Sequence, residues 1–304
     1  MPSQYRLTLA LIAGVITAGL HLSILGGASF ILLQYLTQLP LFFIGLGMGM
    51  TPVFISACVA ITMTLFVDPL LALVFLVGYV GPTLLVIRQA LLSRPTKEGT
   101  LEWYPSGRLL SEITIYVVAV MMVLGVWFAG QEGGLSAIIE AVLSQITAMV
   151  GSDNAAGASI FLSSYGFVVP GIMGVSWIVM TVINGSIAQH FLRKLGKNMR
   201  PSSCLQNIKL PSWVAYLLAV SLLVTVWGGG DIAFFGGMIM MVLLTPFFFQ
   251  GIGVVHQWSN RTSFAGLILV GFYLLMVLLQ WPILFVVGFG ILDQWIDLRR
   301  QKVA

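Results

Sequence analysis

Charge is what this sequence has least of. Of 304 residues, 14 are Lys or Arg and 10 are Asp or Glu, 8% in all, where a soluble domain carries about 25%. With 59% hydrophobic residues and a mean hydropathy of +1.02, a soluble fold is excluded. A chain this size cannot hide so much apolar surface and keep a polar exterior, so it belongs in a bilayer as a polytopic protein. Period-two alternation is also lacking, and the continuous apolar runs exclude the strands of a membrane barrel. The two cysteines, Cys58 in an apolar run and Cys204 in a basic loop, have different expected depths and no ligand spacing, so neither a disulfide nor a metal site is expected. The net charge of +4 is no nucleic-acid signature, because the basic residues gather in loops as positive-inside bias has them.

Catalytic signatures are missing too. There is no HExxH, no GxSxG, no P-loop and no strand-to-helix GxGxxG. No pair of acids sits within a span, as an intramembrane carboxylate pump would show. The chain is therefore expected not to be an enzyme and to need no cofactor.

What is present is a series of apolar runs. A span needs ~20 residues to cross ~30 Å of hydrocarbon. Arg6 before Leu7–Leu25 reads as an uncleaved first span and not a signal peptide, because the run is long and no cleavage site follows. The first block, 7–91, holds four segments, about 7–25, 29–47, 52–67 and 70–91, with a cytoplasmic loop at 92–108. The third segment is short, which leaves open whether it crosses fully or is a half-span or re-entrant piece. A middle block, 110–191, crosses at 110–129 and 169–191. Its outer segment, 130–157, holds Glu132, Glu140 and Asp153 and no Lys or Arg. Within it Leu135, Ile138, Ile139, Val142, Ile146, Met149 and Val150 recur at three and four, the stripe of an extracytoplasmic amphipathic helix near 135–150. The loop 192–211 carries Arg193, Lys194, Lys197, Arg200 and Lys209 and no acid, which marks it as cytoplasmic. The last block, 212–304, adds segments at about 213–228, 232–250, 263–280 and 282–292 before a cytoplasmic tail. The expectation is an all-α polytopic transmembrane bundle of 8–10 crossings with both termini cytoplasmic, in a bacterial inner membrane.

The few polar residues are the candidate site. Gln34, Asn184, Gln250 and His256 are candidates for a polar core or substrate contact. Gly251 and Gly253 suggest that the helix carrying Gln250 breaks there. Asn184 also suits hydrogen bonding to a neighbouring helix, and Asp68, beside Pro69, suits a turn. Gly14 and Ala18 on the first span, with Asp293, Trp295, Asp297 and Arg299 in the tail, are candidates for partner or helix packing. In a continuous tail helix Trp295 would stack on Arg299. Asp293 and Asp297 would repel each other mildly until a basic partner relieved them.

Gln250-Gly251 with His256, and the ending Gly290-x-x-Asp293-x-Trp295-x-Asp297-x-Arg299, resemble the signature stretches of the YybS-like bacterial family. These are uncharacterised polytopic membrane proteins classed as a domain of unknown function. The resemblance runs over about 5–300 and includes Arg88 and Pro211-x-Trp213. More distantly, Ala10, Ala13, Gly14 and Ala18, followed by Leu39-Pro40-Leu41 and Gly45-x-Gly47-x-Gly49, resemble the substrate-binding components of energy-coupling-factor transporters. That resemblance implies a first span packed on a coupling subunit. The expected function is a transporter-like substrate-binding membrane component, with its pocket opening outward beneath the 135–150 helix and the 163–171 break. The alternative is a non-transport scaffold or regulator docking cytoplasmic partners through the 193–209 loop and the tail. The lipid bilayer is the expected partner, and the sequence leaves room for a membrane-protein partner and a small-molecule ligand.

Overall fold

A computed structural model describes residues 3–27, 30–97, 99–132, 144, 166–202 and 205–299. The helix expected near 135–150, the break at Ser163 to Tyr165, and the residues Cys204 and Arg300 lie outside the described residues. Among the described residues, six helices are long and apolar enough to cross a membrane: Gln4–Gly26, Met50–Val67, Pro69–Ala90, Ser106–Ala129, Val168–Lys194 and Asp231–Ser259. Four shorter apolar helices accompany them, Leu32–Met48, Ser212–Trp227, Ala265–Leu279 and Pro282–Ile296. Each coincides with one of the expected segments. The protein is an all-α polytopic membrane protein.

The structure decides what the sequence left open for the third segment and adds a break that the sequence did not suggest in the second. The third segment is a full helix, α4 (Met50–Val67), whose 18 residues span about 27 Å. Pro52 falls in its first turn, where the missing N–H leaves no bond unmade. The second segment is the interrupted one. It consists of α2 (Ile31–Gln34) and α3 (Leu39–Met48). Between them tight bonds run from Leu36 N–H to the Leu33 carbonyl, 3.0 Å, and from Thr37 N–H to the Gln34 carbonyl, 3.2 Å. Pro40, in the first turn of α3, suits the restart. The fourth segment runs as α5 (Pro69–Phe75), a π-helical turn at Leu76–Val80, and α6 (Gly81–Ala90). Asp68 caps it, its carboxylate accepting from Leu71 N–H at 2.6 Å, as a turn residue should.

The chain divides into two compact units, Met1–Ile113 with Val179–Cys204, and Thr114–Ile178 with Leu205–Ala304. The helices α7 (Ser106–Ala129) and α8 (Val168–Lys194) contribute to both.

In the first unit, the core is built from Leu41, Phe42, Phe75, Ile87 and Leu192. The first helix, α1 (Ser3–Leu22), lies on α4. Ser56 Oγ donates to the Ala10 carbonyl at 2.8 Å, and a Cβ on Gly14 would lie 2.6 Å from the Ser56 carbonyl oxygen. The small residues of the first span thus serve a contact within the chain. Its other face, with Leu7, Leu11 and Val15, is exposed, as a lipid-facing surface should be. A short hairpin, β1 (Ser93–Pro95) with β2 (Leu101–Trp103), carries an exposed Arg94–Glu102 ion pair at 2.8 Å. The basic loop is pinned by its own arginine. The Arg200 guanidinium is 7% exposed and donates to the carbonyls of Ala90, 3.2 Å, and Tyr104, 2.7 Å. Burial pulls its pKa down. One of the loop's five basic residues is therefore turned inward.

In the second unit, α10 (Asp231–Ser259) packs against α9 (Ser212–Trp227) and α12 (Pro282–Ile296), while α11 (Ala265–Leu279) leaves most of its apolar side chains exposed. Here α10 runs straight through Gly251 and Gly253. A Cβ on Gly251 would fall on the Val286 carbonyl oxygen, one on Gly290 on the Phe247 carbonyl oxygen, and one on Gly253 2.6 Å from the Leu205 carbonyl oxygen. These glycines permit close backbone contact and do not break the helix. The tail helix ends at Ile296, and Asp297 takes a left-handed conformation, φ 48°. The continuous helix expected through Arg299 is absent, and with it the Trp295–Arg299 stack.

Candidate functional site

The interruption between α2 and α3 places polar side chains inside the first unit. Gln34 ends α2, and Thr37 and Gln38 lie in the turn. All three are buried, as is His21 in the last turn of α1. Opposite them stands the π-helical turn at Leu76–Val80. A π turn widens the helix by one residue and recurs at functional sites. Here it presents Tyr79.

Gln34 Nε2 donates to Tyr79 Oη at 2.8 Å and to His21 Nδ1 at 3.3 Å. Gln38 Nε2 donates to the Tyr79 carbonyl at 3.3 Å, and Thr83 Oγ1 donates to the same carbonyl at 2.6 Å. The widened turn thus exposes a carbonyl that two side chains satisfy. Phe75 closes one side, its ring 4.5 Å from the imidazole.

Asn184 reaches the same break from α8. Its Nδ2 donates to the Tyr35 carbonyl at 2.7 Å and to the Met180 carbonyl at 2.8 Å. Two residues singled out by sequence, Gln34 and Asn184, therefore meet at one place. His21, Thr37, Gln38, Tyr79 and Thr83 were not singled out. For Thr37 and Gln38 the signal was the run Gln34-x-x-Thr37-Gln38 inside an apolar segment, which a hydropathy average smooths away.

This cluster is incompletely satisfied. His21 Nε2, Gln34 Oε1, Thr37 Oγ1, Gln38 Oε1 and Asn184 Oδ1 are buried without a hydrogen-bond partner. Native proteins leave few such atoms, and each one asks for an explanation. No Lys, Arg, Asp or Glu belongs to the cluster, so its chemistry is that of neutral donors and acceptors.

The other sequence candidates lie in the second unit, and there the geometry is that of a lock. Gln250 is fully buried. Its Oε1 accepts from Leu210 N–H at 2.9 Å, and its Nε2 donates to the Gly290 carbonyl, 3.1 Å, and to Asp293 Oδ2, 3.0 Å. Asp293, 2% exposed, is paired with Arg299 at 2.9 Å. The base that relieves Asp293 is thus supplied by the chain's own turned-back tail. Arg299 also donates to the carbonyls of Gln206, 2.5 Å, and Gln250, 3.1 Å. His256 Nε2 pairs with Tyr273 Oη at 2.8 Å. Trp295 is 66% exposed. Gly14 and Ala18, in the first unit, are packed within it.

Beside α10, an apolar groove of about 440 Å³ is lined by Val118, Leu217, Val224, Phe235 and Ile239 among others. Among the described residues no group of His, Cys, Asp and Glu could hold a metal ion.

No curated protein and no solved structure matches the chain. A family model does, over residues 10–294, which takes in the polar cluster, Gln250 and Asp293 and ends before Arg299. The chain belongs to the family described as "Predicted membrane protein (DUF2232)".

Proposed function

We propose that this protein is a solute-binding component of a membrane transport system. It lies in a bacterial inner membrane with both termini cytoplasmic, and its solute site is the polar cluster around Gln34 and Gln38. The observation that carries the reading is the set of buried, unpartnered polar atoms at an interrupted helix facing a π turn. Discontinuous helices are how many transporters place ligand-binding groups at membrane depth, and a polar group left unsatisfied there is expensive. A protein that only needed to fold would be more stable with apolar side chains at these positions. The orientation rests on the basic residues of the 192–211 loop and the acids of 130–157. The scaffold reading draws on surfaces from which Arg200, Asp293 and Arg299 are withdrawn into contacts within the chain.

The test is to purify the full chain from its native membrane and analyse retained small molecules by mass spectrometry. A stoichiometric solute in the wild type, lost from a Gln34→Leu/Gln38→Leu variant that still folds, is the expected result. Stoichiometric envelope or signalling proteins, with no solute in either preparation, would overturn the reading in favour of the scaffold.

A further inference from the structure

We propose that the apolar groove beside α10 seats one acyl chain of a membrane phospholipid. Its lining comes wholly from the second unit, so it owes nothing to the polar cluster of the first. On α10 the lining residues are Ile232, Phe235, Ile239 and Leu243, spaced at three and four. On α9, Leu217, Val220 and Val224 keep the same spacing. Val118 and Met122 of α7 close the third side. Stripes of this kind lie along the helix axes, so the groove does too, and that is the direction of lipid chains in a bilayer.

Length and width select the occupant. From Ile232 to Leu243 is about 16 Å at the helical rise, and these residues lead from the start of α10 to its middle. That is the depth of one leaflet, half of the ~30 Å hydrocarbon core. With C–C bonds of about 1.5 Å in a zigzag, roughly a dozen methylenes cover it. A volume of about 440 Å³ over that length leaves a channel about 6 Å across. A helix, about 10–12 Å wide with its side chains, cannot lie in it. A methylene chain, whose carbons sit about 4 Å from the atoms they touch, can.

Lipid tails are as apolar as this lining, so burial alone gives no preference. Contact does. The lining of an empty groove has no dispersion partner, whereas a chain lying in it is touched on three sides. Ser221 and Gly236, buried and the smallest of the lining residues, give the groove its depth, while Leu217, Val220 and Ile232 stand exposed at its mouth. The Ser221 hydroxyl is turned to the Leu218 carbonyl, 2.8 Å, and offers the groove no polar atom.

The groove ends beside the Gly228–Asp231 turn, where Trp227 is exposed, as an interfacial tryptophan should be. Neither 109–192 nor 210–260 contains Lys or Arg, and Asp231 is exposed at this end. Nothing on these stretches holds an anionic headgroup, so the chain is recognised and the headgroup is not.

The test uses the full chain in nanodiscs containing a phospholipid with a photoactivatable diazirine midway along one acyl chain, on phosphatidylethanolamine and on phosphatidylglycerol in turn. After irradiation, adducts are mapped by peptide mass spectrometry. They are expected to concentrate around Val118, Val224 and Ile239 over α11, whose apolar side chains are more exposed, and to form equally from both headgroups. Val220→Phe, at the exposed mouth, and Ile239→Phe, deeper in, should each lose the groove adducts and keep those on α11. Leu223→Phe, exposed on α9 outside the groove, should keep both. Adducts distributed simply by exposure, or groove adducts that survive both filling variants, overturn the proposal. Groove adducts from the anionic lipid alone overturn it too, since the headgroup would then be what is selected. A groove free of adducts in a chain that runs as a dimer overturns it in favour of a second copy.

Discussion

Arg299 shows how one side chain can close a helix end. The turn at Asp297 sends it back toward the helix it has just left, where it meets Asp293 and two backbone carbonyls at once. Asp293 is nearly inaccessible, so its carboxylate depends on that guanidinium and on Gln250. Removing one partner of a buried pair leaves a charge uncompensated, a loss of about 3–5 kcal/mol. Arg299→Ala is expected to lower stability by that amount in denaturant unfolding of the detergent-solubilised chain. Arg299→Lys should recover little, because a single ammonium cannot reproduce the fork that reaches the carboxylate and both carbonyls. An alanine variant that unfolds with wild type would show that the pair contributes nothing. Thr37→Val should carry the opposite sign. An unpartnered buried hydroxyl is a penalty, and replacing it by a methyl of the same shape should stabilise the unliganded chain by about 1 kcal/mol. The same measurement reads both, and a destabilised Thr37→Val would mean that the hydroxyl has a structural partner.

At the scale of the helix, glycine decides which faces touch. A Cβ at Gly14 would press on the Ser56 carbonyl and Val59, whereas Gly19 on the same helix has nothing within 4 Å. Gly14→Leu is therefore expected to separate α1 from α4 and to yield a polydisperse protein in detergent, while Gly19→Leu stays monodisperse. Equal size-exclusion profiles would refute the contact. In the second unit Gly290→Ala should destabilise the chain by at least the ~1–3 kcal/mol typical of overpacking, since the obstacle is a carbonyl and not a movable side chain. Gly288→Ala, in open space, is the control, and an equal effect at both positions would count against close contact of α10 with α12. These contacts explain which breaks the sequence made legible. Gly251 and Gly253 looked like a break because glycine serves turns and close packing alike, and only the opposing carbonyl distinguishes the two uses. The true interruption, at residues 35–38, carries polar side chains and a proline restart but no glycine. The π turn at 76–80 left no local signal in an apolar run.

For the whole chain, hydropathy alone located the apolar segments, because each must satisfy its backbone internally and meet lipid on its outside. It could not pair Gln34 with Tyr79 or Asp293 with Arg299, since partners 45 residues apart or beyond a helix end leave no periodic trace. Orientation is a different kind of property, set by loop charge and not by packing, and the structure makes the two separable. Arg193, Lys194 and Lys197 are exposed, whereas Arg200 is buried and holds the carbonyls of Ala90 and Tyr104. Reversing the three exposed residues to Glu therefore removes the strongest cytoplasmic signal without touching the contact that pins the loop. The expected outcome is a mixed or inverted orientation, read by protease and thiol-reagent accessibility of a tag on the amino terminus in intact cells. The Arg200→Gln variant should do the reverse, keeping its orientation while loosening the loop, which would show as faster proteolysis after Lys197 in purified protein. If the triple reversal leaves the tag as inaccessible as in wild type, the cytoplasmic assignment of this loop has some other cause. If Arg200→Gln alone inverts the tag, then charge at Arg200 acts through topology, and the buried geometry is not what that residue is for.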